Sequence, residues 1–130
     1  MRKVPLISIV DDDQSFRDAT RRLVKSLGYR ADTFASAEEF LQSDRVSDTA
    51  CLILDVNMRG LSGIDLQSHL IAQANLTPII FVTAIPEERI QAKAIKAGAV
   101  GFLSKPFKEE SLINHLNVAL KGNSGAGSER

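Results

Sequence analysis

The periodicity of this chain predicts an α/β domain, a five-stranded parallel sheet with helices on both faces. Three observations carry that reading. Residues 51–54 and 78–82 are short apolar runs with no polar side, as strands buried on both faces require. Extended and helical patterns alternate strictly along the chain, five of each. A length of 130 residues with a 44% apolar share is enough for one domain with its own core, without disulfides or a structural metal.

Each element has its own warrant. Leu6–Val10 is a β-rich run. Phe16, Ala19, Thr20, Leu23 and Leu27 then fall on one helical face, and Gly28 supplies the left-handed residue that ends helices. Asp13 is the candidate N-cap of that helix. Arg30–Phe34 interleaves charged and polar residues and predicts an edge strand. Ser36 caps a short helix through Leu41, with Glu39 completing a capping box. Residues 51–54 predict a central strand ending in Asp55, and 62–74 a helix with Leu66, Leu70 and Ala74 on one side. Residues 78–82 predict a second central strand, ending at Thr83. Pro86 opens a helix as its first residue, and that helix stops near Gly98. Gly101–Ser104 predicts a brief strand, and 108–121 a last helix whose inner face carries Leu112, Ile113, Leu116 and Leu120. The domain is therefore expected over 1–121, with the small, polar stretch 122–130 as a flexible linker or tail.

Composition excludes several classes. Lys+Arg and Asp+Glu balance at 16 each, so the segment has no net positive field to hold nucleic acid. The one cysteine, Cys51, lies in an apolar run, where a thiol is inert and no internal disulfide can form. No apolar stretch approaches membrane length, so a soluble cytoplasmic protein without membrane partners is expected. His69 and His115 lack ligand-spaced neighbours and are assigned to the surface.

In an open parallel sheet, ligands bind beyond the carboxyl ends of the strands. Here those ends carry Asp11-Asp12-Asp13, Asp55, Thr83-Ala84 and Ser104-Lys105-Pro106. Crowded carboxylates repel one another and stay ionised when a cation joins them. An all-oxygen set suits Mg²⁺. A carboxylate oxygen is also a nucleophile toward phosphorus, while a Lys ammonium neutralises phosphoryl charge and a Thr hydroxyl donates to it. Each residue alone has a plainer reading. Asp11 and Asp12 suit a helix N-terminus, Asp55 a turn, Thr83 a strand and Lys105 a solvated surface. The four strand ends taken together favour the chemistry.

The set Val10-Asp11-Asp12-Asp13, Leu54-Asp55-Val56-Asn57-Met58, Val82-Thr83-Ala84 and Ser104-Lys105-Pro106-Phe107 resembles the receiver domain of bacterial two-component response regulators, from about Leu6 to Leu120. Around Ser36-Ala37-Glu38-Glu39-Phe40-Leu41 and Ala97-Gly98-Ala99 it is most similar to the nitrogen-fixation (FixJ-type) regulators, whose output is a helix-turn-helix DNA-binding domain. The resemblance implies a flavodoxin-like (βα)5 sheet of order 2-1-3-4-5. It implies Asp55 as phosphoacceptor from a sensor histidine kinase. Mg²⁺ (or Mn²⁺) would be held by Asp12, Asp55 and the Asn57 backbone carbonyl, with Asp11 acting through water. Thr83 and Lys105 would contact the phosphoryl group, Phe102 would be the switch aromatic, the Lys105-Pro106 bond would be cis, and Asn57 and Ile85 would tune hydrolysis.

Such a chain is a phosphoacceptor and not a turnover enzyme. It would homodimerise when phosphorylated and reach DNA only through an output domain beyond residue 130. The expected contact face is 86–104, where Ile90 and Ala94 are either an apolar patch or core. The chain departs from the family pattern where Arg59 replaces the usual Pro, and Phe102 lacks the hydroxyl of the common Tyr. Two rival readings stand beside this one. An aspartate-nucleophile phosphohydrolase would need an acid where Asn57 stands. A free-standing receiver that binds its partner directly would differ only in having no output domain. A nucleotide-binding loop is absent after the first strand.

Overall fold

Strands of continuous apolar residues can be satisfied only by helices on both faces, and the chain folds that way. The computed structural model describes residues 4–124. Its elements are β1 (Leu6–Val10), α1 (Gln14–Ser26), β2 (Arg30–Phe34), α2 (Ala37–Gln42), β3 (Thr49–Asp55), α3 (Gly63–Ala72), β4 (Ile79–Thr83), α4 (Glu88–Lys96), β5 (Gly101–Ser104) and α5 (Glu109–Ser124). The strands form one parallel sheet of order β2-β1-β3-β4-β5, as expected. β2 is an edge strand, and β3 and β4 are interior.

Alternate residues of each strand feed opposite cores. Ile7, Ile9, Ile53, Ile80 and Val82 pack with Val24 of α1 and with Leu112 and Leu116 of α5. Val10, Leu52, Leu54 and Phe81 pack with Phe40 of α2, Leu66 and Leu70 of α3, and Ala94 of α4. Two helices thus cover one face and three the other. Among the described residues no helix is long and apolar enough to cross a membrane.

The local signals are met in part. Asp13 caps α1, its Oδ1 accepting from the Ser15 and Phe16 N–H groups. Gly28 stands at φ 96° just beyond that helix. Of the predicted face of α1, Thr20 is buried and Phe16, Leu23 and Leu27 pack against the core, but Ala19 is exposed and Val24, outside that face, is fully buried. The capping box of α2 is displaced by one residue: Ser36 accepts from Glu39 N, but Glu39 Oε1 accepts from the Ala35 N–H and not from Ser36. α3 carries the full box, between Ser62 and Asp65. Pro86 does not begin α4. The helix starts two residues later, with Glu87 at its N-cap and no side-chain bond there. α5 runs to Ser124, past the end expected at 121, and the expected tail from 125 to 130 lies outside the described residues. His115 is half-buried, with Nδ1 2.8 Å from the Ser111 carbonyl and its ring against Gly101. Only His69 sits on the surface as expected.

Candidate functional site

Parallel registry sets the site. Val10 lies beside Leu54, Asp55 beside Val82, and Thr83 beside Ser104. The residues that end β1, β3, β4 and β5 therefore emerge at one edge of the sheet. Asp11, Asp12 and Asp55 each place a carboxylate oxygen there, all within 4.8 Å of one another.

The three acids are held differently. Asp11 is fully buried and both its oxygens are engaged: Oδ1 accepts from the Asp13 N–H at 2.9 Å, and Oδ2 from Lys105 Nζ at 2.6 Å. Asp55 is 6% exposed, its Oδ1 accepting from Asn57 N at 3.3 Å and its Oδ2 standing 4.0 Å from Lys105 Nζ. Asp12 is exposed, and no hydrogen bond or ion pair holds it among the described residues. Burial pushes the Asp55 carboxyl up from 3.8 to about 6. Asp11 and Asp12 add to that rise, while Lys105 and the Asn57 N–H oppose it. Three carboxylates against one ammonium leave a site short of positive charge, lined by oxygen donors. That donor set fits a hard divalent cation.

Lys105 is aimed by more than Asp11. Its ammonium lies 4.2 Å from the centroid of the Phe16 ring, and Phe16 in turn meets Phe107 edge-on. The Lys105-Pro106 bond is cis, as expected. Arg17 donates to the Asp11 carbonyl at 2.8 Å. Sequence reasoning left Arg17 out and gave Phe16 only a place on a helix face. No local spacing singled them out: Arg17 reaches the Asp11 carbonyl from six residues on, and Phe16 meets Lys105 at a distant strand end.

Thr83 is buried, and its Oγ1 accepts from the Ile85 N–H at 3.2 Å and from Asn57 Nδ2 at 3.4 Å. The Asn57 side chain thus bridges the ends of β3 and β4. Phe102 is half-buried on the α4 side of the sheet, its ring 6.1 Å from that of Phe81. Ile85 is 67% exposed beside the site, and Arg59 is also exposed. Ile90 and Ala94 prove to be core: Ala94 is fully buried and Ile90 packs against the same cluster. The large outward apolar residue of α4 is Ile95. Cys51 is buried, and its thiol is pushed up to about 12 by desolvation.

Comparison with known proteins agrees with this geometry. Residues 7–117 match the sequence model of the response regulator receiver domain. The chain is 42% identical over 119 residues to the response regulator protein TodT of Pseudomonas putida, covering 92% of this chain and 52% of that protein. It is 43% identical over 115 residues to nodulation protein W of Bradyrhizobium diazoefficiens, covering 88% and 50%. The transcriptional regulatory protein FixJ of the same organism is 34% identical over 88% of this chain and 56% of its own length. Among solved structures, response regulator StyR superposes with a TM-score of 0.87 at 40% identity, covering 94% of this chain and 62% of that one. The chain spans about half the length of the curated relatives it matches.

Proposed function

The chain belongs to the response regulator receiver domain family, and from that premise we propose that it is a phosphorylation-activated switch whose phosphoacceptor is Asp55. One observation carries the reading: Asp11, Asp12 and Asp55 converge within 4.8 Å of one another beneath the Lys105 ammonium.

Asp12, Asp55 and the Asn57 backbone carbonyl would hold Mg²⁺ (or Mn²⁺). Asp11, with both oxygens already engaged, would act on the ion through water. The bound ion would offset the charge gathered on the phosphoryl oxygens and carboxylates. The chain's own residues do the rest. An ionised Asp55 oxygen attacks the phosphorus of a phosphohistidine on a sensor histidine kinase. A P–O bond forms, the P–N bond breaks, and the imidazole leaves with its electron pair. With the Asp55 carboxyl at about 6, the attacking carboxylate is already the major form at neutral pH. Lys105 lies 4.0 Å from Asp55 Oδ2 and neutralises one phosphoryl oxygen. A groove of about 550 Å³ lined by Phe16, Ala19, Leu23, Pro106 and Phe107 opens beside Lys105, and gives the donor protein a surface on which to seat.

The Thr83 hydroxyl, now spent on local bonds, would turn to a phosphoryl oxygen, and Phe102 would follow inward. That rearrangement alters the α4–β5 face and, through it, homodimerisation and an output domain. Relatives named as transcriptional regulators support DNA control through such a domain, not through this segment. The activity is phosphoacceptance with self-catalysed hydrolysis, not enzymatic turnover, in the cytoplasm. The deciding experiment is phosphate-affinity electrophoresis after acetyl phosphate treatment. Wild type shifts with Mg²⁺ and not with EDTA, and Asp55→Asn does not shift. Full labelling of Asp55→Asn would overturn the assignment.

A further inference from the structure

We propose that Glu38, on α2, is a positioning residue that sets the loop after Asp55 and through it the metal site; the inference rests on the reading of that site given above. The loop from 56 to 62 carries Asn57, whose backbone carbonyl is a proposed ligand. A carbonyl ligand has no rotamers of its own, so its place is the place of the loop. The loop is anchored at its start by the Asn57 N–H on Asp55 Oδ1, at 3.3 Å. It is anchored at its end by Ser62 N–H on Asp65 Oδ2, at 3.2 Å, and by Gly63 N–H on the Val56 carbonyl, at 2.9 Å. Between those anchors stand Met58, Arg59 and Gly60, and Arg59 leaves φ free where the family pattern has a Pro.

Glu38 reaches across from α2 to this stretch. Its Oε2 accepts from the Leu61 N–H at 3.0 Å. The same carboxylate lies against Gly60, which stands at φ 75°, so closely that a Cβ there would collide with it. Glu38 is itself well fixed, because Ala37 and Phe40 are buried on either side of it and Ser36 caps the helix. Its neighbour Glu39 is committed to the Ala35 N–H. A charged acceptor on a backbone N–H is a stronger restraint than a neutral one. The tether supplies the order in the loop that a Pro at position 59 would otherwise give.

The test is Mg²⁺ titration of the full chain, followed by NMR, for wild type, Glu38→Ala and Glu38→Gln. Glu38→Ala should weaken Mg²⁺ by about threefold or more, short of the roughly tenfold loss that follows removal of a ligand's own hydrogen-bond partner, because Glu38 acts on Asn57 through the loop and not by direct contact. It should slow acetyl phosphate labelling at low Mg²⁺, with recovery at saturating Mg²⁺. Glu38→Gln keeps an acceptor oxygen and should stay within about twofold of wild type. Hydrogen exchange at the Leu61 amide should speed up in Glu38→Ala and not in Glu38→Gln. Wild-type Mg²⁺ affinity in Glu38→Ala, or equal losses in both variants, would overturn the proposal. If wild type binds no Mg²⁺, the functional reading itself fails. The tether is still decided then by Leu61 exchange, and an unchanged rate in Glu38→Ala refutes it.

Discussion

Asp55 sits where burial and two neighbouring acids disfavour its charge, and that has a consequence for stability. Its carboxyl is raised in the folded protein from 3.8 to about 6. The folded state therefore binds more protons than the unfolded state between those values, and stability falls as pH rises through that window. Two pKa units correspond to about 3 kcal/mol at most. In EDTA, Asp55→Asn should be more stable than wild type at pH 7.5, with the gap closing toward pH 4. Urea denaturation at both pH values checks this, and a gap that is flat with pH would mean the Asp55 carboxyl is not raised. Asp12 and Asp13 are adjacent yet have separable duties. Asp12 is exposed and unengaged among the described residues, whereas Asp13 caps α1. Asp12→Ala should abolish most Mg²⁺ affinity with little change in stability. Asp13→Ala should cost about 1 kcal/mol of stability and leave Mg²⁺ binding nearly intact. Calorimetric titration beside thermal melts separates the two; equal Mg²⁺ losses would move the ligand assignment.

Helices and strands deliver these side chains, and tight junctions keep them in place. α3 leaves β3 through Gly63, where a Cβ would strike the Asp55 backbone carbonyl. Gly63→Ala must push α3 away or shift the end of β3. It should cost about 1–3 kcal/mol, as overpacking does, and slow Asp55 labelling by acetyl phosphate. Wild-type rates at full stability would show that the junction yields freely. The turn from β4 to α4 carries Ile85, exposed beside the site and unable to orient water. Ile85→Glu should shorten the aspartyl phosphate half-life in an autodephosphorylation assay, and an unchanged half-life would refute a role for residue 85 in tuning hydrolysis. How far such elements can be read from sequence depends on what each signal measures. Apolar runs revealed β3 and β4 because both faces of those strands are buried. The acids and Lys105 were legible because parallel strands bring all their carboxyl ends to one edge. Pro86 misplaced the start of α4, because a proline before the N-cap looks like one after it. Spacing alone could not tell that Glu39 bonds Ala35 and not Ser36. Glu38 and Leu61 are separated by 23 residues, and nothing local links them.

The domain connects a charged edge to a distant face through β4 and β5. Thr83 ends β4, and its carbonyl accepts from Lys105 N at 2.7 Å, so the two strand ends move as one. Its hydroxyl now donates to the Ile85 carbonyl at 3.3 Å, a bond that a phosphoryl oxygen on Asp55 can take over as acceptor. Phosphorylation of Asp55 would exchange one carboxylate charge for up to about two phosphoryl charges, a net gain of about one negative charge at the site. Shifting a two-state equilibrium from 1:99 to 99:1 takes about 5.5 kcal/mol of differential stabilisation, within reach of charge-assisted bonds from Thr83 and Lys105. The face proposed to respond is α4 and β5. Because Ile90 and Ala94 are core, its apolar contacts fall to Ile95, 45% exposed, with Ile85 at the margin. The protein should therefore be a monomer when unphosphorylated and a dimer through the 86–104 face when loaded with beryllofluoride and Mg²⁺. Sedimentation velocity checks this for wild type, Thr83→Ala and Ile95→Asp. Ile95→Asp should take up the phosphoryl group normally yet stay monomeric, because its substitution touches the face and not the site. Thr83→Ala should load and dimerise weakly, because the link from site to face is cut. A loaded wild type that stays monomeric refutes dimerisation. Full dimerisation of Thr83→Ala refutes the coupling, and full dimerisation of Ile95→Asp moves the interface away from α4.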